Sequence, residues 1–97
     1  MENEVINKLR QGIDKLDDQI AELFVRRLKL IDGVGREKAR LQLDISAVER
    51  EQSIINRVTI IADKDFEPYM ASLFDSIFHI CKLYEVAIRT GADFKKK

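Results

Sequence analysis

The stretch LRQGIDKLDDQIAELFVRRLKLIDGVGREK, residues 9–38, repeats apolar side chains at steps of three and four residues. The repeating positions are Leu9, Ile13, Leu16, Ile20, Leu23, Leu30 and Val34. This spacing places the apolar side chains on one face of an α-helix. Gly33 and Gly35 weaken such a helix by ~1 kcal/mol each, and no proline occurs before Pro68. The pattern predicts one helix over about residues 4–41.

A helix of this length is long for so short a chain. At ~1.5 Å per residue it extends roughly 57 Å, whereas a compact domain of this size is about 30–35 Å across. Part of the apolar face therefore extends beyond the surface that one chain can cover, and large exposed apolar surfaces usually bind something. The simplest cover is the same face of a second copy related by a two-fold axis. We expect an interlaced helical homodimer.

A second helix is predicted over about residues 47–61. Ser46 and Glu49 form the S-x-x-E pattern of a capping box, which marks the start of a helix. The apolar positions that follow are Ala47, Ile54, Val58 and Ile61.

A third helix is predicted over about residues 67–90. Pro68 suits its first turn, and Asp65 or Glu67 is available near its cap. Its apolar side carries Met70, Leu73, Phe74, Ile77, Cys81, Tyr84 and Ile88, and its polar side carries Asp75, His79 and Lys82. Residues 91–97 are expected to fray. The prediction is an all-α fold with three helices per chain in a single domain, residues 1–97.

Composition limits the partners and the compartment. The 97 residues include 17 basic and 17 acidic side chains, so no net field favours nucleic acid or an anionic membrane. Cys81 is the only cysteine, which excludes an internal disulfide and suits the cytoplasm. No apolar run approaches the ~20 residues of a membrane span, and the N-terminus lacks a signal-peptide pattern.

Charged residues interrupt all three predicted apolar faces. Arg27 continues the face of the first helix, and Lys38 lies on nearly the same side, since eleven steps of ~100° leave about 20° of rotation. Glu51, next to Arg50, occupies the second face, and Glu85 occupies the third. Buried charges require partners. These residues either form internal ion pairs or gather around a small, multiply charged organic acid.

Other chemistries lack their residues. The sequence contains no G-x-S-x-G elbow, no glycine-rich phosphate loop and no Cys/His pair. A metal site requires clustered carboxylates or histidines, whereas the lone His79 is predicted on the polar side of its helix. We therefore expect neither a metal nor a cofactor.

Four short motifs together resemble the all-helical chorismate mutase family. They are L-R-x-x-I-D-x-L-D at residues 9–17, R-x-x-x-I at 27–31, V-G-x-x-K at 34–38 and E-R-E at 49–51. The resemblance covers about residues 5–90. It implies an interlaced dimer of three-helix chains with two active sites, each completed by an arginine of the partner chain. That arginine corresponds to Arg10.

The resemblance also implies a role for each site residue. Arg27 and the partner's Arg10 would hold the two substrate carboxylates, Lys38 would contact the ether oxygen, and Glu51 would bind the ring hydroxyl. Arg50 would line the same pocket. Glu85 would lie beside the ether oxygen, where it donates a hydrogen bond only while protonated. This implies activity that falls as pH rises.

Two positions depart from the family pattern. Ala47 stands where the family has aspartate, and Cys81 stands where it has serine. A side-chain acceptor and a hydroxyl donor are thereby lost from the expected substrate-binding set, which affects rate or affinity more than reaction type.

The implied reaction is the rearrangement of chorismate to prephenate, an isomerase step of the shikimate pathway toward phenylalanine and tyrosine. Isochorismate pyruvate lyase is an alternative, because it shares the fold and most of the cationic pocket. A non-enzymatic helical dimerisation module is another alternative, in which Arg27 merely sets the register of the helices. Product analysis and mutation of Lys38, Glu51 and Glu85 separate the three.

Overall fold

The computed structural model describes residues 3–91, which form three α-helices. Helix α1 spans Glu4–Leu41 and α2 spans Val48–Ile61. A short 3-10 helix, Lys64–Phe66, precedes α3 at Glu67–Thr90. Within residues 3–91 there is no strand, so the predicted all-α class is confirmed. The expected fraying of the tail concerns residues 92–97, which lie outside the described residues.

The chain divides into two compact units, one ending at Leu30 and the other beginning at Ile31. The single-domain assignment stays a prediction. None of the described helices is both long enough and apolar enough to cross a membrane.

The first unit is the N-terminal part of α1, and its start is capped by Asn3. The Asn3 Oδ1 atom accepts hydrogen bonds from the backbone N–H groups of Val5 at 2.7 Å and Ile6 at 3.3 Å. These bonds satisfy donors that have no partner inside the helix. The predicted apolar face is exposed in the single chain, by 53–63% at Leu9, Ile13, Leu16, Ile20 and Leu23.

The core of the second unit lies between α2 and α3. Ile54, Val58 and Phe78 are buried, with Ile55, Met70 and Phe74 packed against them. The Phe74 and Phe78 rings meet edge to face, with centroids 6.1 Å apart. Each helix contributes residues four positions apart, which form one row along its surface.

Two residues predicted on the apolar faces of α2 and α3 are exposed instead. Ile61 is the last residue of α2 and is 74% exposed, because the chain turns there into the 3-10 helix. Leu73 is 52% exposed. The row of α3 that packs on α2 passes through Met70, Phe74 and Phe78, and Leu73 lies ~100° away from Phe74 around the helix.

The predicted capping residue of α2 is wrong. Ala47 rather than Ser46 is the N-cap of α2, with no side-chain hydrogen bond at the cap. Phe66 is the N-cap of α3, so Asp65 and Glu67 lie on either side of the cap, and no side chain bonds to it. Pro68 does lie in the first turn, as predicted. The Ala47 carbonyl accepts the first hydrogen bond of α2 from Glu51 N–H at 2.9 Å, and the 3-10 helix leads directly into α3.

Helix α1 approaches α3 closely at Gly35. This residue is buried, and a Cβ atom built on it would lie 3.0 Å from Ile88 Cδ1 and 3.1 Å from Glu85 Cγ. One turn earlier, the Tyr84 hydroxyl donates a hydrogen bond to Asp32 Oδ1 at 2.7 Å. Arg36 Nε donates to the other Asp32 oxygen at 2.8 Å, and this hydrogen bond raises the pKa of Arg36.

We expect Gly35→Ala to be less stable than Gly33→Ala by about 1–2 kcal/mol, because the new methyl group crowds Glu85 and Ile88. Gly33 has no atom within 4 Å of an added Cβ, so Gly33→Ala should gain up to ~1 kcal/mol of helix propensity. Urea denaturation at one protein concentration measures both free energies of unfolding. Equal stabilisation by the two substitutions would show that the contact at Gly35 is loose.

Candidate active site

Lys38 of α1 and Glu85 of α3 form the most buried charged pair among the described residues. Lys38 Nζ lies 3.1 Å from Glu85 Oε1, and the side chains are 19% and 6% exposed. Gly35, one turn before Lys38, allows this approach because it has no side chain to separate α1 from Glu85. Two charges that the sequence placed on separate apolar faces therefore meet.

The pair is an ion pair by distance, but Glu85 Oε1 accepts no hydrogen bond from any described residue. The Lys38 ammonium donates instead to the Ile45 carbonyl at 2.9 Å, which directs one of its three N–H bonds away from the carboxylate. A buried carboxylate oxygen without a hydrogen bond is unfavourable, and a ligand that contacts it could remove this cost. This oxygen is therefore a candidate contact for substrate.

The loop between α1 and α2 is held by two cationic side chains. Besides the Lys38 bond to Ile45, Arg89 Nη2 of α3 donates to the Leu43 carbonyl at 2.8 Å. Gln42 adopts a positive φ of 58°, which turns the chain out of α1. The loop leads to Ala47, so these bonds fix where α2 starts relative to α3.

Glu51 of α2 pairs with Lys82 of α3. Lys82 Nζ lies 2.8 Å from Glu51 Oε2 and 3.1 Å from Oε1, with the two side chains 38% and 24% exposed. The prediction that Lys82 lies on the polar side of α3, away from the other helices, is wrong. Its position three residues before Glu85 was the available signal, because residues three apart lie on neighbouring parts of a helix face.

The other expected substrate-binding residues of the second unit lie on these same helices. Cys81 is buried and lies one turn before Glu85 on α3. Ala47 is half-buried at the start of α2, one turn before Glu51, and Arg50 is exposed. The positions where this chain departs from the family pattern therefore lie one helical turn from its two candidate carboxylates.

The two arginines expected to bind substrate carboxylates belong to the first unit. Arg10 is exposed and Arg27 is half-buried, and each makes a polar or charged interaction. At ~1.5 Å per residue they lie roughly 25 Å apart along α1. Their convergence with Lys38, Glu51 and Glu85 stays a prediction.

Neither a candidate metal site nor the surface cavity at the start of α1 adds to this set. Within residues 3–91, no three His, Cys, Asp or Glu side chains cluster as a metal ion would require. His79 is exposed, as predicted. A cavity at the start of α1 is lined by Glu4, Val5, Asn7, Lys8 and Gln11, none of which is an expected site residue.

Three α-helices with charged side chains paired between them define a helical protein with a partly buried polar site. The model of the family described as "Chorismate mutase type II" matches residues 9–86, which include every expected site residue. The chain belongs to this family.

Curated relatives agree with that assignment. The chain is 38% identical over 61 residues to "T-protein" of Haemophilus influenzae, covering 63% of this chain and 16% of the relative. It is 34% identical over 55 residues to "Bifunctional chorismate mutase/prephenate dehydratase" of Aquifex aeolicus, covering 57% and 15%. A protein of the same name from Buchnera aphidicola is 30% identical over 70 residues, covering 70% and 19%.

The matched region is less than a fifth of the length of each of these relatives. No solved structure matches the chain significantly. None of the three names includes the lyase that the sequence left as an alternative.

Proposed function

We propose that this protein is a chorismate mutase, an isomerase that converts chorismate to prephenate. Family membership over residues 9–86 supports the reaction type. The observation that carries the proposal is the buried Lys38–Glu85 pair, in which one carboxylate oxygen has no hydrogen bond. In the wider context, the reaction belongs to phenylalanine and tyrosine biosynthesis, which we assign to the cytoplasm.

The reaction is an intramolecular Claisen rearrangement. One C–O bond breaks while one C–C bond forms, and neither a proton nor an external electron is transferred. The protein must hold the enolpyruvyl side chain folded over the ring and stabilise the charge that develops on the ether oxygen. A million-fold acceleration requires only ~8 kcal/mol of differential stabilisation, which a few charged contacts in a shielded site can supply.

Lys38 and Glu85 are the proposed catalytic pair. The Lys38 ammonium would donate a hydrogen bond to the ether oxygen, and protonated Glu85 would donate a second. When Glu85 is ionised it can only accept, and it also competes for the Lys38 ammonium, which lies 3.1 Å away. Protonation of Glu85 therefore supplies a donor and frees a cation for substrate.

Substrate binding would use the remaining charged residues. Arg27 and the partner's Arg10 would hold the two carboxylates, because planar guanidinium groups bind carboxylates in pairs of hydrogen bonds. Arg27 would also favour the reactive conformer of chorismate, because it would fix the carboxylate of the enolpyruvyl side chain. Glu51 would accept a hydrogen bond from the ring hydroxyl, with Arg50 at the pocket edge.

An interlaced homodimer would complete each site. Five large apolar residues on the N-terminal part of α1 are 53–63% exposed in one chain, which favours a second copy as their cover. Arg10 lies next to Leu9 on this part of the helix. Pairing of these faces would bring Arg10 of one chain into the site of the other.

Turnover of chorismate tests the proposal directly. We expect the purified chain to form prephenate, and Lys38→Ala to lower kcat/KM by at least about 100-fold through loss of the ether-oxygen contact. Lys64→Ala, at an exposed lysine of the 3-10 helix, should keep full activity. Product identification separates the rivals: pyruvate from isochorismate alone would indicate the lyase, and no turnover of either substrate would indicate a dimerisation module.

The pH dependence tests the role of Glu85. We expect kcat/KM of the wild-type chain to fall as pH rises, because the ionised carboxylate cannot donate to the ether oxygen. Glu85→Gln keeps a donor at every pH, so its profile should be flat over the range in which the wild type declines. A parallel decline in Glu85→Gln would contradict this role of Glu85.

Complementation tests the shared active site. Arg10→Ala and Lys38→Ala should each be inactive alone, whereas mixed and re-equilibrated chains should recover about a quarter of wild-type activity. Half of the dimers would be mixed, and each would contain one site with neither substitution. Recovery is measured after refolding the two variants together from denaturant. No recovery, with mixed dimers demonstrated by mass spectrometry, would contradict an Arg10 contributed by the partner.

A further inference from the structure

Lys82 is a cation beside the candidate site. The sequence pattern did not predict it there. Its ammonium contacts both Glu51 oxygens, at 2.8 and 3.1 Å, and links α3 to α2 across 31 positions of sequence. Both side chains are partly shielded from water, which makes this pair stronger than a fully exposed one.

We infer that Lys82 is a positioning residue that sets substrate affinity through Glu51, by fixing the carboxylate and balancing its charge. The inference rests on the proposed function, because that function assigns Glu51 to the substrate's ring hydroxyl. Lys82 itself is not assigned a contact with the reacting atoms.

The contact leaves Glu51 able to bind a hydroxyl group. A carboxylate has about four lone-pair positions, and a single ammonium close to both oxygens occupies two of them at most. The remaining positions can accept the ring O–H. Because the side chain is already held between two helices, less rotational freedom is lost when substrate binds.

Lys82 offsets the negative charge of Glu51. Glu85 is paired with Lys38, so the pairing that balances Glu51 is the one with Lys82. Chorismate carries two carboxylates, and an uncompensated Glu51 would repel it. Removing the Lys82 charge should therefore weaken substrate binding without changing the contacts made to the ether oxygen, and added salt should reduce the deficit.

A double-mutant cycle in the chorismate assay tests this inference. For Lys82→Met we expect KM to rise roughly threefold to tenfold while kcat stays within about twofold, with most of the loss restored in Lys82→Arg. Lys64→Met is the matched control and should leave KM unchanged. In a Glu51→Gln background, which keeps an acceptor oxygen, Lys82→Met should change KM by less than about twofold.

Three outcomes would overturn the inference. An unchanged KM in Lys82→Met would show that the Lys82–Glu51 ion pair does not affect substrate binding. An equal rise in KM in the Glu51→Gln background would show that Lys82 acts on substrate without Glu51. If Lys82→Met does not fold by circular dichroism, Lys82→Gln replaces it, and a wild-type KM in that variant would be equally decisive. Failure of the wild-type chain to form prephenate refutes the proposed function itself and is distinguishable from all three.

Discussion

The contact between the Lys38 ammonium and the buried Glu85 carboxylate constrains the rest of the second unit. Removing two charges from water costs several kcal/mol per ion, and their attraction offsets this only when the geometry is close. Gly35 provides that closeness, since it leaves room for Glu85 and Ile88 against the backbone of α1. The Ile45 carbonyl bound to Lys38 then links the same charge to the loop that precedes α2.

The two units differ in how their apolar residues are covered. In the second unit, α2 and α3 bury Ile54, Val58 and Phe78 against each other within one chain. In the first unit, the described part of α1 has no buried residue, although its apolar face is as regular as any in the chain. Burial of apolar surface is the main favourable term in folding, so the exposed face of this unit favours the proposed pairing with a second copy.

Helix positions could be predicted from the sequence because apolar spacing and proline placement act locally. The predicted bounds of α1 and α3 match those observed, and α2 begins one residue later than predicted. Local signals failed at the two ends of α2. Ala47 rather than Ser46 is the N-cap, and Ile61 is exposed because the chain turns there toward the 3-10 helix.

The candidate site was predictable as a set of misplaced charges, but the partner of each charge was not. Lys38 and Glu85 both interrupt apolar faces, and the structure joins them. Glu51 was also predicted because it interrupts an apolar face. Lys82 was assigned to the solvent side because it breaks no apolar row. Which cation meets which carboxylate depends on how the helices are rotated against each other, and single-helix periodicity does not contain that rotation.

The hydrogen bond from Lys38 to the Ile45 carbonyl also bears on selectivity. This ammonium already contacts a carbonyl and a carboxylate that belong to the protein. An ammonium has three N–H donors, so these two groups compete with an incoming anion for two of them. A small monoanion that gains only the third contact binds weakly. A ligand anchored elsewhere by further charges does not depend on this contact alone, so the arrangement disfavours common small anions.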